Sequence, residues 1–246
     1  MRRIEIDSKN LSYRELNEQI HQALKKGARE IFLRNVNGQR YIGCGIRGDI
    51  KIFIDGVPGN DLASFMDGPT ILVNSNAQDA VANTMNSGKV IVNGHGGDVL
   101  GYGMRGGKLF IRGHAGYRIG IHMKAFKNQI PIIIIGGTVR DFLGEYQAGG
   151  IIILLGLERE ETSIAGKYIG TGMHGGVIYI RGDVDPFQLG KEVSIHPIDE
   201  KDERRLRFYL EEYCDDFNLS LDEIIKTRFI KLLPTHLRPY GKIYAY

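Results

Sequence analysis

The chain has 246 residues, of which 33 are glycine and 7 are proline. Glycine averages about 7% of globular sequences, so its share is nearly doubled here. The low proline content excludes a collagen-like chain, and a hydrophobic fraction of 42% excludes a disordered one. With 32 basic and 29 acidic residues, the net charge of +3 is too small to indicate binding to nucleic acid or to an anionic membrane.

Hydropathy and cysteine spacing exclude further classes of protein. The sequence has no run of about 18 apolar residues, and its first residues lack the apolar stretch of a secretory signal, so we expect a cytoplasmic protein. Cys44 and Cys214 lie far apart without C-x-x-C spacing. We therefore expect no disulfide framework, and no zinc or iron–sulfur site built from this chain alone.

The N-terminal segment, residues 1–37, has the pattern of a strand–helix–strand cap. Ser12 and Glu15 have the spacing of a capping box, and Gly27 is placed to end the helix. The helix would carry an apolar stripe of Leu16, Ile20 and Leu24. A strand is predicted over residues 30–36, from which the chain enters the next segment.

Residues 38–184 form a repeat that contains 30 of the 33 glycines. Each unit has one short β-branched or aliphatic run bounded by glycine, without a helical pattern. The units open at Gly43, Ala63, Ala82, Gly101, Gly120, Gly144 and Gly170, at intervals of 20, 19, 19, 19, 24 and 26 residues. A repeat of this kind indicates a solenoid, so we predict a mainly β fold, a single-stranded parallel β-helix of seven coils.

Alignment of the seven units produces three apolar columns. Two columns are predicted to face the core: Ile52, Ile71, Val90, Leu109, Ile132, Ile152 and Ile178, and then Ile54, Val73, Val92, Ile111, Ile134, Leu154 and Ile180. The residues between them are Phe53, Leu72, Ile91, Phe110, Ile133, Ile153 and Tyr179. This outer strip needs a cover, either the terminal helices or, near Phe110 and Ile133, another domain or subunit.

Three segments match the dinucleotide fingerprint G-x-G-x-x-G. They are Gly43, Gly45 and Gly48; Gly101, Gly103 and Gly106; and Gly170, Gly172 and Gly175. In dinucleotide-binding proteins the fingerprint follows a strand and opens a helix, whose N-terminus takes the pyrophosphate. Here a predicted strand follows each segment, so we interpret the glycines as corners of the coils.

Two polar pairs occupy equivalent positions of consecutive units. His95 and His114 are predicted to stack, and no third metal ligand is visible in their column. Asn74 and Asn93, in a column beside Asp55, are predicted to stack as hydrogen-bonded amides.

Candidate catalytic groups are few. Asp141 and Glu145 lie in one unit, and we interpret them as side chains that hold loop backbone, because acidic residues do not cluster on the strands. The sequence shows no Ser-His-Asp or Cys-His arrangement. We therefore predict no catalytic, cofactor-binding or metal-binding residue on this chain.

The C-terminal segment, residues 185–246, is predicted to be a helical cap with a tail. A first helix is indicated by Leu206, Leu210 and Tyr213. Ser220 is placed to cap a second helix that reaches about Leu232. Pro234 and Pro239 would end that helix, leaving an irregular aromatic tail over residues 240–246.

The glycine repeats resemble those of a known family. Together with GVPGNDLASFMDG, HAGYRIGIHMK, DFLGEYQAGGIIILLG and AGKYIGTGMHGGVIYIRG, they look like the GXGXG domain at the C-terminus of the large (alpha) subunit of glutamate synthase. The resemblance covers roughly residues 38–184 and is most specific in GEYQAGG and GMHGG. It implies a right-handed parallel β-helix of seven coils. Units two and three depart from the family pattern, because alanine and asparagine replace glycines there.

The resemblance implies a non-catalytic structural subunit of an oxidoreductase complex. Such a subunit would scaffold the amidotransferase and synthase parts that make glutamate from glutamine and 2-oxoglutarate in ammonia assimilation. FMN and an iron–sulfur cluster would lie on partner subunits. Two alternatives remain: a GXGXG subunit of a formylmethanofuran dehydrogenase-like complex, and a solitary β-helical carbohydrate-acting protein, which would need carboxylate rows. Formation of a homo-oligomer is left open.

Overall fold

A computed structural model describes residues 2–159 and 163–236 of the protein. Within these ranges the chain forms one eleven-stranded sheet and three α-helices. The strands are β1 (Arg2–Asp7), β2 (Ala28–Asn37), β3 (Lys51–Val57), β4 (Asp67–Val73), β5 (Ser87–Val92), β6 (Lys108–Ile111), β7 (Ile132–Ile135), β8 (Ala148–Leu154), β9 (Gly175–Arg181), β10 (Val193–His196) and β11 (Phe229–Pro234). The helices are α1 (Tyr13–Lys25), α2 (Glu200–Phe217) and α3 (Leu221–Ile225). Pro239 and the predicted aromatic tail lie outside the described residues.

Strands β1 to β9 stack in chain order. Each pairs in parallel with the next, and equivalent residues of the repeat meet in register, as Ile52, Ile71, Val90 and Leu109 do. All four side chains are fully buried in one apolar cluster inside the coils. The predicted mainly β solenoid with parallel strands is confirmed, and the described residues make about six turns.

The fifth repeat unit is shifted by one residue from the predicted alignment. Ile133 pairs with Leu109 in the interior, whereas Ile134 pairs with Phe110 on the outer side. The prediction that Ile132 and Ile134 face the core and that Ile133 faces outward is therefore wrong. The four consecutive isoleucines of β7 carry no polar alternation that distinguishes the two faces, so hydrogen bonding to β6 decides the register.

The glycine-rich turns have an alternating left-handed backbone. In the turn before β6, Val99, Gly101 and Gly103 have φ of 60°, 69° and 56°. Alternate amides point to opposite neighbours: the Val99 N–H donates to the Tyr117 carbonyl and the Gly101 N–H to the Val81 carbonyl, each at 2.8 Å. The turn is thus bonded to the coils on both sides, as a strand is.

The same left-handed positions recur in the other turns. Many of them carry side chains: Tyr41, Asp61, Ala63, Phe65, Ala80, Ala82, Thr84, Arg118, His122, Phe142, Tyr146 and Tyr168. Gly120 shows why glycine is preferred at the central position. It has φ of +73°, and a Cβ there would lie 2.6 Å from Cδ1 of Ile152 on the next strand. At Gly120, backbone conformation and close packing therefore both favour glycine, although alanine takes the equivalent position at Ala63 and Ala82.

The two ends of the solenoid are closed differently. At the N-terminal end, α1 begins after Ser12, whose Oγ accepts from the Glu15 N–H, and the helix buries Leu16 and Ile20 against the core. At the other end, β11 pairs antiparallel with β9, and β10 pairs antiparallel with β11.

The second C-terminal helix is shorter than predicted. α3 ends at Ile225, and the chain then forms β11, so the prediction of a helix from Ser220 to about Leu232 is wrong. Ile230 and Leu232 are buried in the core while Lys231 between them faces outward to α2. An alternation of period two fits a strand, and pairing with the last parallel strand satisfies its backbone groups.

Helix α2 covers the outer strip of the strands. Its buried residues Leu206, Leu210, Tyr213, Cys214 and Phe217 form a second apolar cluster with Ile91, Phe110, Ile134, Ile153 and Tyr179. Lys89 bonds to Glu212 and Asp216, and Lys108 bonds to Glu212, along one flank of the helix. The interpretation that a terminal helix covers the strip is confirmed from β5 to β9.

No helix within residues 2–159 and 163–236 has the length and apolarity needed to cross a lipid bilayer. Cys44 and Cys214 are both free thiols. Burial, together with nearby carboxylates, raises the pKa of the Cys214 thiol to about 11, which makes it a poor nucleophile at neutral pH.

Candidate functional site

The three G-x-G-x-x-G segments lie in turns that lead directly into β3, β6 and β9. Their first two glycines occupy left-handed positions of the turn, as Gly170 and Gly172 do with φ of 69° and 70°. The ring of Tyr146 lies so close to Gly172 that a Cβ there would collide with it. This is the geometry of stacked turns, and it differs from a phosphate-binding loop that opens a helix.

The stacked histidines are confirmed. The rings of His95 and His114 lie 5.1 Å apart with planes inclined by 7°. The His114 N–H donates to His95 Nδ1, and the Thr138 N–H donates to His114 Nδ1, each at 2.9 Å. Each Nδ1 therefore accepts from the backbone of the next coil. The amides of Asn74 and Asn93 approach to 3.5 Å. Among the residues that the structure describes, no group of three His, Cys, Asp or Glu could hold a metal ion.

Asp141 and Glu145 have different roles in the same turn. Asp141 Oδ1 accepts from the Lys167 N–H at 2.8 Å, so its predicted role as a backbone ligand is confirmed. Glu145 instead accepts from Arg118 Nε at 3.1 Å, and its side chain is mostly buried. For Glu145 the prediction is wrong, because its carboxylate pairs with the Arg118 side chain of the preceding coil.

The outer strip near Phe110 has no surface left for a partner. Phe110 is fully buried, with the Tyr213 ring centre at 5.5 Å and Lys89 Nζ at 5.0 Å from its own ring centre. Ile133 lies in the interior. The hypothesis of an intersubunit interface at Phe110 and Ile133 is therefore wrong, because α2 occupies that place.

A buried polar network joins α2 to β9 and β11. The Tyr179 hydroxyl donates to Asp202 Oδ1 at 2.6 Å, Lys231 Nζ donates to Asp202 Oδ2, and Arg205 donates to the Tyr179 hydroxyl at 2.8 Å. Burial by itself raises the pKa of Asp202, but the hydrogen bonds from Lys231 and Tyr179 outweigh it and hold this pKa below its ordinary value. Burial raises the pKa of Tyr179. This network anchors the start of α2.

Gln147 is a core residue that sequence reasoning missed. It occupies the position that is methionine in most other units: Met66, Met85, Met104, Met123 and Met173. Its Nε2 donates to the carbonyls of Gly149 and Gly150 at 3.2 and 3.1 Å, whereas its Oε1 has no hydrogen-bond partner within the described chain. The repeat itself could have revealed Gln147, because this glutamine replaces an apolar residue in an otherwise apolar column.

Exposed aromatic side chains line the turns of the later coils. The His122 and Tyr146 rings are stacked 5.2 Å apart, and the Tyr102 ring meets His122 edge-on at 5.8 Å. In the adjacent column, the Phe142 and Tyr168 rings are stacked 4.9 Å apart. We call these five residues the aromatic patch. Tyr102, Tyr146 and Tyr168 are 40%, 46% and 51% exposed.

The aromatic patch has the composition of a protein–protein interface. Tyrosine and arginine are enriched at such interfaces, and Arg118 lies against the patch with its Cζ 4.7 Å from the Phe142 ring centre. A contiguous exposed apolar surface on a rigid frame commonly marks a contact site. Sequence reasoning missed the patch, because its members lie on four coils and meet only when the coils stack.

The chain matches a known family model over most of its length. Residues 14–238, well over half of the chain, match the family model described as "GXGXG motif". The chain belongs to the GXGXG motif family. The match includes α1 and α2, so the helices at both ends lie within the family region as well as the glycine turns.

One relative and one solved structure match this GXGXG protein over nearly its whole length. The uncharacterized protein MJ1350 of Methanocaldococcus jannaschii is 50% identical over 254 aligned positions, which cover 100% of this chain and 97% of the relative. A chain of the formyltransferase/hydrolase complex (FhcABCD) of Methylorubrum extorquens, solved in complex with methylofuran, has the same fold. The likeness covers 91% of this chain and 88% of that one, with a TM-score of 0.63 and 18% identity.

Proposed function

We propose that this GXGXG protein is a non-catalytic structural subunit of a multi-subunit complex of the formylmethanofuran dehydrogenase type, which handles a carrier-bound formyl group. The observation that carries the proposal is the correspondence with a chain of the formyltransferase/hydrolase complex, over 91% of this chain and 88% of that one. Agreement over nearly the whole of both chains favours a similar place in an assembly.

The residue-level structure supports a scaffolding role. The coils are filled by aliphatic side chains, and the histidine and aspartate side chains of the turns are used to bond neighbouring coils. The aromatic patch offers a rigid surface for a partner. We place a molybdenum or tungsten centre, and any other cofactor of the complex, on partner subunits, and the complex in the cytoplasm.

A structural subunit of glutamate synthase is the second candidate. The observation that favours it is the GEYQAGG segment, in which three consecutive residues have distinct structural roles. Glu145 holds Arg118, Tyr146 covers Gly172, and Gln147 is buried in the core. In that case FMN and an iron–sulfur cluster would lie on the partner subunits, and the complex would form glutamate.

Affinity purification from the native host tests the proposal. We expect a tagged chain to retain stoichiometric partners that include a molybdenum or tungsten enzyme acting on a formyl group, with an untagged strain as control. Recovery of a flavin and iron–sulfur enzyme with glutamine-dependent glutamate formation would replace the first candidate by the second. A tagged chain that elutes alone in size-exclusion chromatography, from cells grown under several conditions, would contradict both.

A further inference from the structure

A long basic groove runs along one edge of the solenoid, beside the turns. It encloses a cavity of about 680 Å³ and is lined by Arg47, Asp67, Asn86, Arg105, Lys124, Phe126 and Gln129. The first five of these residues lie at equivalent positions of five consecutive coils. The Arg105 and Lys124 amides, for example, donate to the Met85 and Met104 carbonyls one coil below, at 2.9 and 3.0 Å. The floor of the groove is therefore a column of side chains whose backbone is hydrogen-bonded from one coil to the next.

An insertion in the fifth unit builds the outer wall of this groove. Phe126 and Gln129 exchange two backbone hydrogen bonds of 3.0 Å and close a tight hairpin. The hairpin leans on the preceding coil, where a Cβ on Gly106 would lie 3.2 Å from Gln129 Cβ. The longer interval in the repeat at this point thus produces a wall, and the Phe126 ring, 45% exposed, stands on it.

The charge of the groove is positive. Three cationic side chains, Arg47, Arg105 and Lys124, face one carboxylate, that of Asp67. Asp67 Oδ1 already accepts from Ser87 Oγ at 2.7 Å. Within the described residues, the guanidinium groups of Arg47 and Arg105 make no hydrogen bond or ion pair. Two guanidinium groups in a concave site without carboxylate partners favour an anionic occupant.

The length of the groove fits a polypeptide better than a small ion. Arg47 and Lys124 are separated by four coil spacings of about 4.8 Å, roughly 19 Å in total, which an extended segment of about six residues would span at 3.3 Å per residue. Tyr102 and His122, both exposed, lie two or three residues before Arg105 and Lys124 in the chain. These two members of the aromatic patch are therefore close to the groove, and their rings would supply apolar contacts beside the charged ones.

We propose that this groove is the docking site for an acidic segment of a partner subunit, whose carboxylates bind Arg47, Arg105 and Lys124 while the aromatic patch packs against the apolar flank of the same partner. The inference rests on the proposed function, because it takes the chain to be one subunit of a complex. Beyond that function, the inference specifies the chemistry of the contact, which is an acidic segment bound by a basic groove. A nucleic acid is the competing polyanion, and the nearly balanced net charge of +3 disfavours it.

A peptide-binding experiment tests the groove without the native complex. The probe is a dye-labelled octapeptide of alternating aspartate and serine, followed by fluorescence anisotropy at about 50 mM salt, where screening is weak. We expect the R47E/R105E variant to bind it at least about tenfold more weakly than the natural chain. The matched control R29E/K201E makes the same charge change at exposed positions outside the groove, and it should stay within about twofold.

Other outcomes overturn the proposal. The proposal is wrong if both double variants lose peptide affinity equally, or if the natural chain does not bind the peptide. It is also wrong if the natural chain binds an octauridylate RNA more tightly than the peptide. Unchanged thermal unfolding of both variants establishes that they fold, which we expect because all four side chains are exposed.

A second measurement uses the tagged chain in its native host. We expect R47E/R105E to lose most of the co-purified partner subunits while R29E/K201E retains them. Full retention by R47E/R105E would overturn the docking site and leave the proposed function intact. Partners of an unrelated activity that are lost only from R47E/R105E would overturn the proposed function and leave the docking site intact.

Discussion

The two outer faces of the solenoid differ in what covers them. On the strand face, the outer strip from β5 to β9 is buried by α2, and Phe110 and Tyr213 have no exposed surface. On the turn face, the rings of the aromatic patch stack on one another, and Tyr102, Tyr146 and Tyr168 remain 40–51% exposed. The same coils therefore carry one closed apolar surface and one open aromatic surface.

This difference separates the surface that stabilises the fold from the surface that is available to a partner. The strand face is closed by a helix of the same chain, held by Tyr213, whose hydroxyl donates to the Ile111 carbonyl at 3.0 Å across 102 residues of sequence. The aromatic patch has no such cover in the described residues, and its rings stack on rings of neighbouring coils. Substitutions on the strand face should therefore affect folding, and those on the turn face should affect binding.

Removal of the Tyr213 side chain should have the largest effect on stability. We expect Tyr213→Ala to lower the free energy of unfolding by about 4 kcal/mol, because a fully buried ring leaves a cavity between α2 and Phe110. Tyr213→Phe should cost about 1 kcal/mol through the lost hydrogen bond. Urea unfolding measures both, with Phe208→Ala on the same helix as control, since Phe208 is 64% exposed. Similar losses at Tyr213 and Phe208 would refute the cover by α2.

Asp202→Asn should destabilise the protein by about 3 kcal/mol, because Lys231 would keep its charge without a buried partner. The effect should depend on pH. The folded-state pKa of Asp202 is lowered, so its stabilising contribution is complete above the ordinary value of 3.8 and is lost as pH falls through the lowered pKa. The pKa of Lys231 is raised, so its contribution is complete below 10.5 and is lost as pH rises beyond that.

Unfolding curves recorded at several pH values test this account of Asp202. The Asn variant should be closest in stability to the natural chain at the acid end of the range. Asp215→Asn, at an exposed position of the same helix, serves as control and should leave the pH profile unchanged. A constant difference between Asp202→Asn and the natural chain from pH 7 down to pH 2 would contradict the pairing.

Gly120→Ala separates the two constraints on the turn glycines. We expect a loss of about 3 kcal/mol, of which about 1–2 kcal/mol is the left-handed backbone and the rest the collision with Ile152. Gly45 has φ of +65° and open space around its Cβ position, so Gly45→Ala should cost the backbone part alone. Thermal unfolding of the two variants compares them directly. Equal losses would show that packing against the core adds nothing.

The histidine column should give the smallest effect. His114→Ala removes the acceptor of the half-buried Thr138 N–H and should cost about 1 kcal/mol. His114→Asn should recover most of this loss, because Asn76 Oδ1 accepts the His95 N–H at 2.8 Å at the same position of an earlier coil. Denaturant midpoints measure both variants. If His114→Asn lost as much stability as His114→Ala, the side chains at this position would not stabilise the solenoid by accepting backbone hydrogen bonds from the next coil.

Local pattern alone was enough to predict the repeat and its strands, but alignment with neighbours was not predictable everywhere. The glycine spacing and the alternating apolar positions are short-range signals, so the parallel columns followed from them. In β7, four isoleucines in a row give both faces of the strand the same polarity, so the predicted register of this strand was wrong by one residue. Residues 229–232 were predicted as the end of the helix that starts at Ser220. They form a strand instead, because they pair with the free edge of β9, which lies far earlier in the chain.

The candidate surfaces show the same limit. Each ring of the aromatic patch looks like an ordinary exposed side chain in sequence, because the rings meet only after the coils stack. The basic groove likewise needs the column of five coils together with the hairpin wall at Phe126. Gln147 could have been found from the repeat, because an amide in a methionine column is visible without any structure.

The sequence by itself determined that the chain is a mainly β solenoid, because the period of glycine and aliphatic residues specifies the coil through local backbone preferences and side-chain alternation. Only the tertiary structure decided which face is closed. The cover comes from α2, whose Tyr213 bonds to Ile111 across 102 residues of sequence, and the position of α2 depends on long-range packing that no local pattern contains. The same packing left the turn face and its basic groove open.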